Sequence, residues 1–165
     1  MKGRTKAHTD KHAKLARQLI EYHYKKKALT IQPLGGGLSN FVFGVTAGRE
    51  ELVVRMSEER EKINFFLKEQ WAVARAKEKG VPVPEILEVG NDIIPVPYMI
   101  MRKINGEEAS HHPDRWEIIK EMGRFAAIIH TIPTNCYGHM FDWSQNTLSG
   151  LNTTINPYRW YLLNE

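Results

Sequence analysis

A chain of 165 residues with 42% hydrophobic and 25% charged content has the balance of a globular protein long enough to bury one core. The net charge of +4 is mildly basic, and no apolar run approaches the length of a transmembrane helix, so no membrane span is expected. Cys136 is the sole cysteine, which excludes an intrachain disulfide. The basic start "MKGRTKAHTDKH" leads into no apolar core of a signal peptide. Together these give the expectation of a cytoplasmic protein in a reducing compartment.

The first element expected is an amphipathic helix in "TDKHAKLARQLIEYHY". Leu15, Leu19 and Tyr22 recur three and four residues apart, and Thr9 is the candidate N-cap. His8 and His12 are four apart on this helix, but no third metal ligand accompanies them, and both read as solvated. The charges of Lys25, Lys26 and Lys27 sit between elements and read as a solvated run. Three short apolar runs follow, "LTIQPL", "FVFGVTA" and "ELVVRM". A glycine cluster and "AGRE" join them as the turns of consecutive antiparallel hairpins.

From Ser57 to Lys79 the period becomes helical. Ile63, Phe66, Leu67, Trp71 and Ala74 share a face, and Gly80 supplies the stop. "VPVPEILEVG" reads as a proline-spaced entry into a fourth strand, and "PVPYMIMRKING" as a fifth strand ending at Asn105 and Gly106. A long helix follows Pro113, with Trp116, Ile119, Met122, Phe125, Ala126 and Ile129 expected to face inward. The remaining stretch, from Cys136 onward, reads as loop-rich and closes on Trp160, Tyr161, Leu162 and Leu163. Helix, three strands, helix, two strands, helix is an α+β order.

The chemistry centres on "LGGGLSNFVFGV". A glycine-rich turn lets backbone amides approach phosphates because no Cβ intervenes, although a plain hairpin uses the same residues. Ser39 and Asn40 add side-chain donors that turns also favour. Arg55 stands late in the third strand, where a cation could reach nucleotide phosphates if a carboxylate held it. At about 100° per helical residue, Glu69 lies roughly 60° from Phe66 and 40° from Val73, at the edge of the buried face. Glu61 projects the other way. The expectation is therefore an Arg55–Glu69 salt bridge with Gly36 and Gly37 arching over the same pocket.

The order glycine-rich hairpin, "VVR", helix with Glu69, "GVPVPEILEVG", "YMIMRKINGE" and "MGRFAAIIHTI" resembles the aminoglycoside phosphotransferase family, its hygromycin-type branch above all. The resemblance runs from about Leu34 to Gly138. It implies a protein-kinase-like N-lobe with a five-stranded antiparallel sheet and a packed helix. An N-terminal helix would precede this lobe and the first helical part of a C-lobe would follow it. The divisions implied are 1–28, 29–105 and 106–165. Gly35, Gly36, Gly37, Ser39, Asn40, Val42, Val53, Arg55, Glu69, Met101, Arg102 and Ile104 would then bind ATP. Val42 and Val53 would sandwich the adenine, Met101 would back it, and the Arg102 carbonyl and Ile104 amide would face its edge. Arginine replaces the lysine common at the third-strand position, and its planar fork is not a point charge.

Phosphoryl transfer also needs an aspartate to orient the hydroxyl, and magnesium ligands. "HMFDWSQN" places His139, Asp142 and Asn146 at intervals unlike a kinase catalytic loop, so no catalytic or metal-binding residue is expected within the chain. The partners implied are a nucleotide, Mg2+ and, in a full-length parent, a small hydroxyl-bearing substrate. The expected function is the nucleotide-binding half of a small-molecule kinase, inactive alone and ending before the catalytic loop. A non-catalytic nucleotide-binding module of the same fold is the alternative. A basic nucleic-acid-binding domain is weighed against it, but no basic stripe interleaved with aromatics supports nucleic acid as a partner. The terminal apolar residues carry an expectation of self-association.

Overall fold

The computed structural model describes residues 6–25, 30–35 and 40–133. Among them, helix α1 (Lys6–Tyr24) leads into strands β1 (Thr30–Pro33), β2 (Phe41–Ala47) and β3 (Glu50–Met56). Helix α2 (Lys62–Glu78), strands β4 (Ile86–Gly90) and β5 (Tyr98–Arg102), and helix α3 (Arg115–Ile129) follow. A 3-10 turn at Ala109–His111 precedes α3. The strands form one sheet in the order β1-β2-β3-β5-β4, with every neighbouring pair antiparallel. The expected α+β fold with a five-stranded antiparallel sheet is therefore observed.

Strand alternation divides the sheet into two chemically different faces. Phe41, Phe43, Val45, Ala47, Leu52, Val54, Met56, Tyr98 and Ile100 form one buried cluster with Ala16, Leu19 and Ile20 of α1. The alternate residues of β2, Val42, Gly44 and Thr46, are only half-buried and point to the opposite face. On that side α2 packs against β4 and β5. The β2–β3 turn has two residues between the paired Ala47 and Glu50. Gly48 comes first in it at φ +67, the left-handed conformation that lets a two-residue loop match the strand twist. Gly80, at φ +77, ends the α2 region as its position in the sequence implies.

The β4–β5 connection folds back tightly. Tyr98 is fully buried, and its hydroxyl lies 2.6 Å from Glu88 Oε1 and 3.1 Å from Asp92 Oδ1. Burial and these carboxylates push the phenol pKa above its ordinary value, so the hydroxyl stays a proton donor. Gly90 leaves the space that the ring needs, since a Cβ there would stand 2.6 Å from the Tyr98 hydroxyl.

Several expectations are corrected. Helix α1 already runs from Lys6, so Thr9 lies inside it and is not its N-cap. Its buried stripe is His12, Ala16, Leu19 and Ile20, rotated away from Tyr22, which is 64% exposed. His12 is consequently not solvated but fully buried. Ala74 is exposed, and Ala76 fills the inward position on α2. Strand β5 ends at Arg102, opposite Leu52 of β3, and not at Asn105. On α3, Trp116, Ile119, Met122 and Ile129 are exposed, and Ala126 is exposed too, while Phe125 is intermediate. No described residue covers that face, because the main packing partner of α3 among them is the neighbouring 3-10 turn. Cys136, His139, Asp142, Asn146 and the aromatic terminus lie outside the described residues.

Candidate functional site

The half-buried sheet face gathers the expected site residues in two adjacent cross-strand rows. Val42 of β2 pairs with Arg55 of β3, which pairs with Met99 of β5. In the next row, Gly44 pairs with Val53 and Val53 with Met101. Period-2 alternation puts all six on one face, because Cα partners across antiparallel strands point the same way. Val42, Val53, Arg55 and Met101 are thus brought together by register alone.

Helix α2 supplies the carboxylate. Arg55 Nη1 donates to Glu69 Oε1 at 2.5 Å, with side-chain exposures of 23% and 39%. The pair is half-wet, so its net stabilisation is about 0–1 kcal/mol, and its geometry rather than its energy is the notable feature. Arg55 Nη1 also lies 3.8 Å from Met99 Sδ, and the guanidinium carbon stands 5.4 Å from the Phe66 ring centroid.

Leu34, at the end of β1, completes the apolar lining. Its amide donates to the Val42 carbonyl at 2.8 Å, and its side chain covers Gly44, where a Cβ would meet Leu34 Cδ2 at 3.4 Å. Sequence reasoning missed Leu34, Met99 and Phe66 as site-lining residues. The signals were present: Leu34 abuts the glycine run, Met99 is two residues before Met101, and Phe66 is three before Glu69 on one helix face. A shallow cavity of about 180 Å³ opens along β1–β3, lined by Leu34, Gly44, Thr46, Glu51 and Lys103 among others.

The segment after β5 is pinned at the edge of this face. The Lys103 amide donates to the Glu51 carbonyl at 3.0 Å. Lys103 Nζ and Asn105 Nδ2 reach the Glu51 carboxylate at 3.1 and 3.3 Å. Those bonds, the Lys103 one first, hold the Glu51 pKa below its ordinary value. The Arg102 side chain turns to Glu50 and Glu85 instead. Ile104 is 65% exposed.

Of the glycine stretch, Gly36, Gly37 and Ser39 lie outside the described residues, so the expected arch over Arg55 does too. Gly35 is described and open around its Cα. The Asn40 side-chain oxygen is buried and has no hydrogen-bond partner among the described residues. Among the described residues no group of three or more His, Cys, Asp or Glu side chains is gathered as a metal site. Among the described residues no helix is long and apolar enough to cross a membrane.

The comparisons agree with this architecture. Residues 30–159 match the family model described as the phosphotransferase enzyme family. No curated protein matches the chain. Among solved structures, a thermostable mutant of aminoglycoside phosphotransferase APH(4)-Ia, in ternary complex with AMP-PNP and hygromycin B, aligns with a TM-score of 0.57 at 16% identity. That alignment covers 72% of this chain and 39% of the neighbour. A Ralstonia eutropha protein provisionally named an aminoglycoside phosphotransferase aligns with a TM-score of 0.57 at 19% identity, covering 80% of this chain and 43% of its own. The chain therefore spans about two fifths of the length of these neighbours. At such identities the structural likeness speaks for the fold alone. With the family model matching well over half of the sequence, the chain belongs to the phosphotransferase enzyme family.

Proposed function

We propose that this chain is the nucleotide-binding half of an ATP-dependent phosphotransferase that phosphorylates a hydroxyl group of a small molecule. The observation that carries the reading is the single sheet face that joins an apolar patch to a held cation. Val42, Val53, Met101 and Leu34 lie on one side of the sheet, so they suit one face of a purine ring and do not sandwich it as the resemblance implied. Arg55, in the row of Val42 and one row from Val53 and Met101, is clasped by Glu69 and suits the phosphates of the same nucleotide. The pinned segment from Lys103 to Asn105 would present backbone groups of Arg102 and Ile104 to the base edge. Gly35, Gly36, Gly37, Ser39 and Asn40 would approach the phosphates from the β1–β2 side. ATP fits this set, and the AMP-PNP bound by the APH(4)-Ia neighbour supports that choice.

Mg2+ would neutralise the phosphate charge during transfer, and its ligands are assigned to parts of the fold other than this face. The boundaries 28/29 and 105/106 divide the chain into a leading helix, the nucleotide lobe and the start of a helical lobe. The hydroxyl substrate is of aminoglycoside type or a related small molecule. The chain alone should show no turnover, because positioning and charge stabilisation supply most of phosphoryl-transfer catalysis.

Isothermal titration of the purified chain with Mg·ATP tests the proposal. Saturable 1:1 binding is expected, weakened about 10- to 100-fold by Arg55→Ala, the loss of one charge-assisted contact. A folded chain with no nucleotide affinity, or an Arg55→Ala variant that binds as well as wild type, would overturn the reading.

A further inference from the structure

The cation of this site is an arginine, and its surroundings are built for a plane rather than for a point charge. Three side chains from two elements touch the Arg55 guanidinium. Glu69 of α2 takes Nη1 at 2.5 Å, Met99 of β5 brings Sδ to 3.8 Å of the same nitrogen, and the Phe66 ring centroid lies 5.4 Å from Cζ. Phe66 and Met99 are 1% and 0% exposed, so neither can swing away into water. Phe66 and Glu69 stand three apart on one helix and reach the same group, one with a ring and one with a carboxylate. Met99 is the Cα partner of Arg55 across β3–β5, so register alone keeps it beside the arginine.

We propose that Phe66 and Met99 are positioning residues that hold the Arg55 guanidinium in a fixed plane, so that arginine takes the place of lysine at this site. The proposal rests on the reading of Arg55 as the phosphate-facing cation. A guanidinium stacks on an aromatic face and is weakly hydrated, whereas an ammonium is a compact, strongly hydrated charge that gains less from a ring and a thioether. Both polar contacts use Nη1, which leaves Nη2 and Nε as the donors that an incoming phosphate oxygen would meet. With the plane held, those donors meet the anion without first giving up rotational freedom. The departure from lysine and the apolar pair beneath it are thus one feature.

The test compares Phe66→Leu in two backgrounds, wild type and Arg55→Lys, with two readouts on the full chain. The first is the dissociation constant for Mg·ATP. Phe66→Leu should weaken binding about 3- to 10-fold when Arg55 is present, the scale of a partly desolvated cation–π contact, and have almost no effect in the Arg55→Lys background. Equal losses in both backgrounds would mean only general packing and would overturn the proposal. The second readout needs no nucleotide. The 15N side-chain resonances of Arg55 should show restricted Nη rotation in wild type and in a Phe65→Leu control, and averaged signals in Phe66→Leu. Unchanged Arg55 resonances in Phe66→Leu would overturn the proposal, whatever nucleotides do. If wild type binds no nucleotide, the functional reading fails while these resonances still decide the seat. Should Phe66→Leu not fold, Met99→Leu, close in volume, reads the same signals with the same expected averaging and the same overturning result.

Discussion

Substituting Gly90 with alanine should disrupt the β4–β5 hairpin far more than an exposed glycine would. The added Cβ would sit 2.6 Å from the Tyr98 hydroxyl oxygen, 2.8 Å from its Cζ and 2.9 Å from Asp92 Oδ1. Tyr98 cannot retreat, because it is fully buried within the cluster that joins the sheet to α1. Overpacking of this kind costs about 1–3 kcal/mol. Displacing the hydroxyl also loosens its 2.6 Å bond to Glu88. A bond to a charged partner contributes about 1.5–3 kcal/mol, and water restores part of that at a carboxylate as open as Glu88. The sum expected is about 2–4 kcal/mol, which for a chain of this size lowers Tm by roughly 5–15 °C. Urea unfolding followed by far-UV circular dichroism measures it. A Tyr98→Phe background should recover at least about 1 kcal/mol of the loss, since the nearest atom is gone while Cζ remains. A Gly90→Ala protein within about 0.5 kcal/mol of wild type would refute the close packing described here.

Two further outcomes are expected. His12 is fully buried, stacked on Phe41 at 3.5 Å, with Nδ1 2.8 Å from the His8 carbonyl and Nε2 3.6 Å from Glu58 Oε1. Burial holds its pKa below the ordinary 6.5, against the opposing pull of the His8 carbonyl and Glu58 and with a small push from Lys11. The unfolded chain therefore takes up the proton first as pH falls, and stability should decline below about pH 6.5 until the folded-state pKa is passed. His12→Leu should flatten that slope between pH 7 and 5 in urea titrations, and identical slopes would contradict the burial. The exposed stripe of Trp116, Ile119, Met122 and Ile129 on α3 should bind an apolar dye. Ile119→Glu with Met122→Glu should lower that fluorescence severalfold, and unchanged dye binding would show that the stripe is covered.

The sheet was legible because its signals are local. Strand alternation, the "AGRE" turn with Gly48, and the stop at Gly80 each depend on a few neighbouring residues. The Arg55–Glu69 pair was legible for a related reason: helical phase puts only one well-placed acid at the edge of the buried face. The phase of α1 was not, because His12 belongs to its buried stripe and a histidine does not announce burial. Its place depends on Phe41, 29 positions later, offering a ring to stack on. The inward face of α3 failed for a different reason. Periodicity says which side of a helix is apolar, and cannot say whether another element covers it. Gly90 offered a usable hint, since glycine within a strand often marks close approach by another group. The seat beneath Arg55 was half legible in the spacing of Phe66 and Glu69. Met99 joined it only once the β3–β5 register was known.

The central claim is that a nucleotide lies on the face formed by Val42, Val53, Arg55 and Met101. Photolabelling with 8-azido-ATP in the presence of Mg2+, followed by peptide mapping, tests it most directly. The account predicts covalent label on peptides spanning 34–56 and 98–106, abolished by excess ATP and strongly reduced in Arg55→Ala. Label confined to α1, or label that excess ATP does not displace, would contradict it.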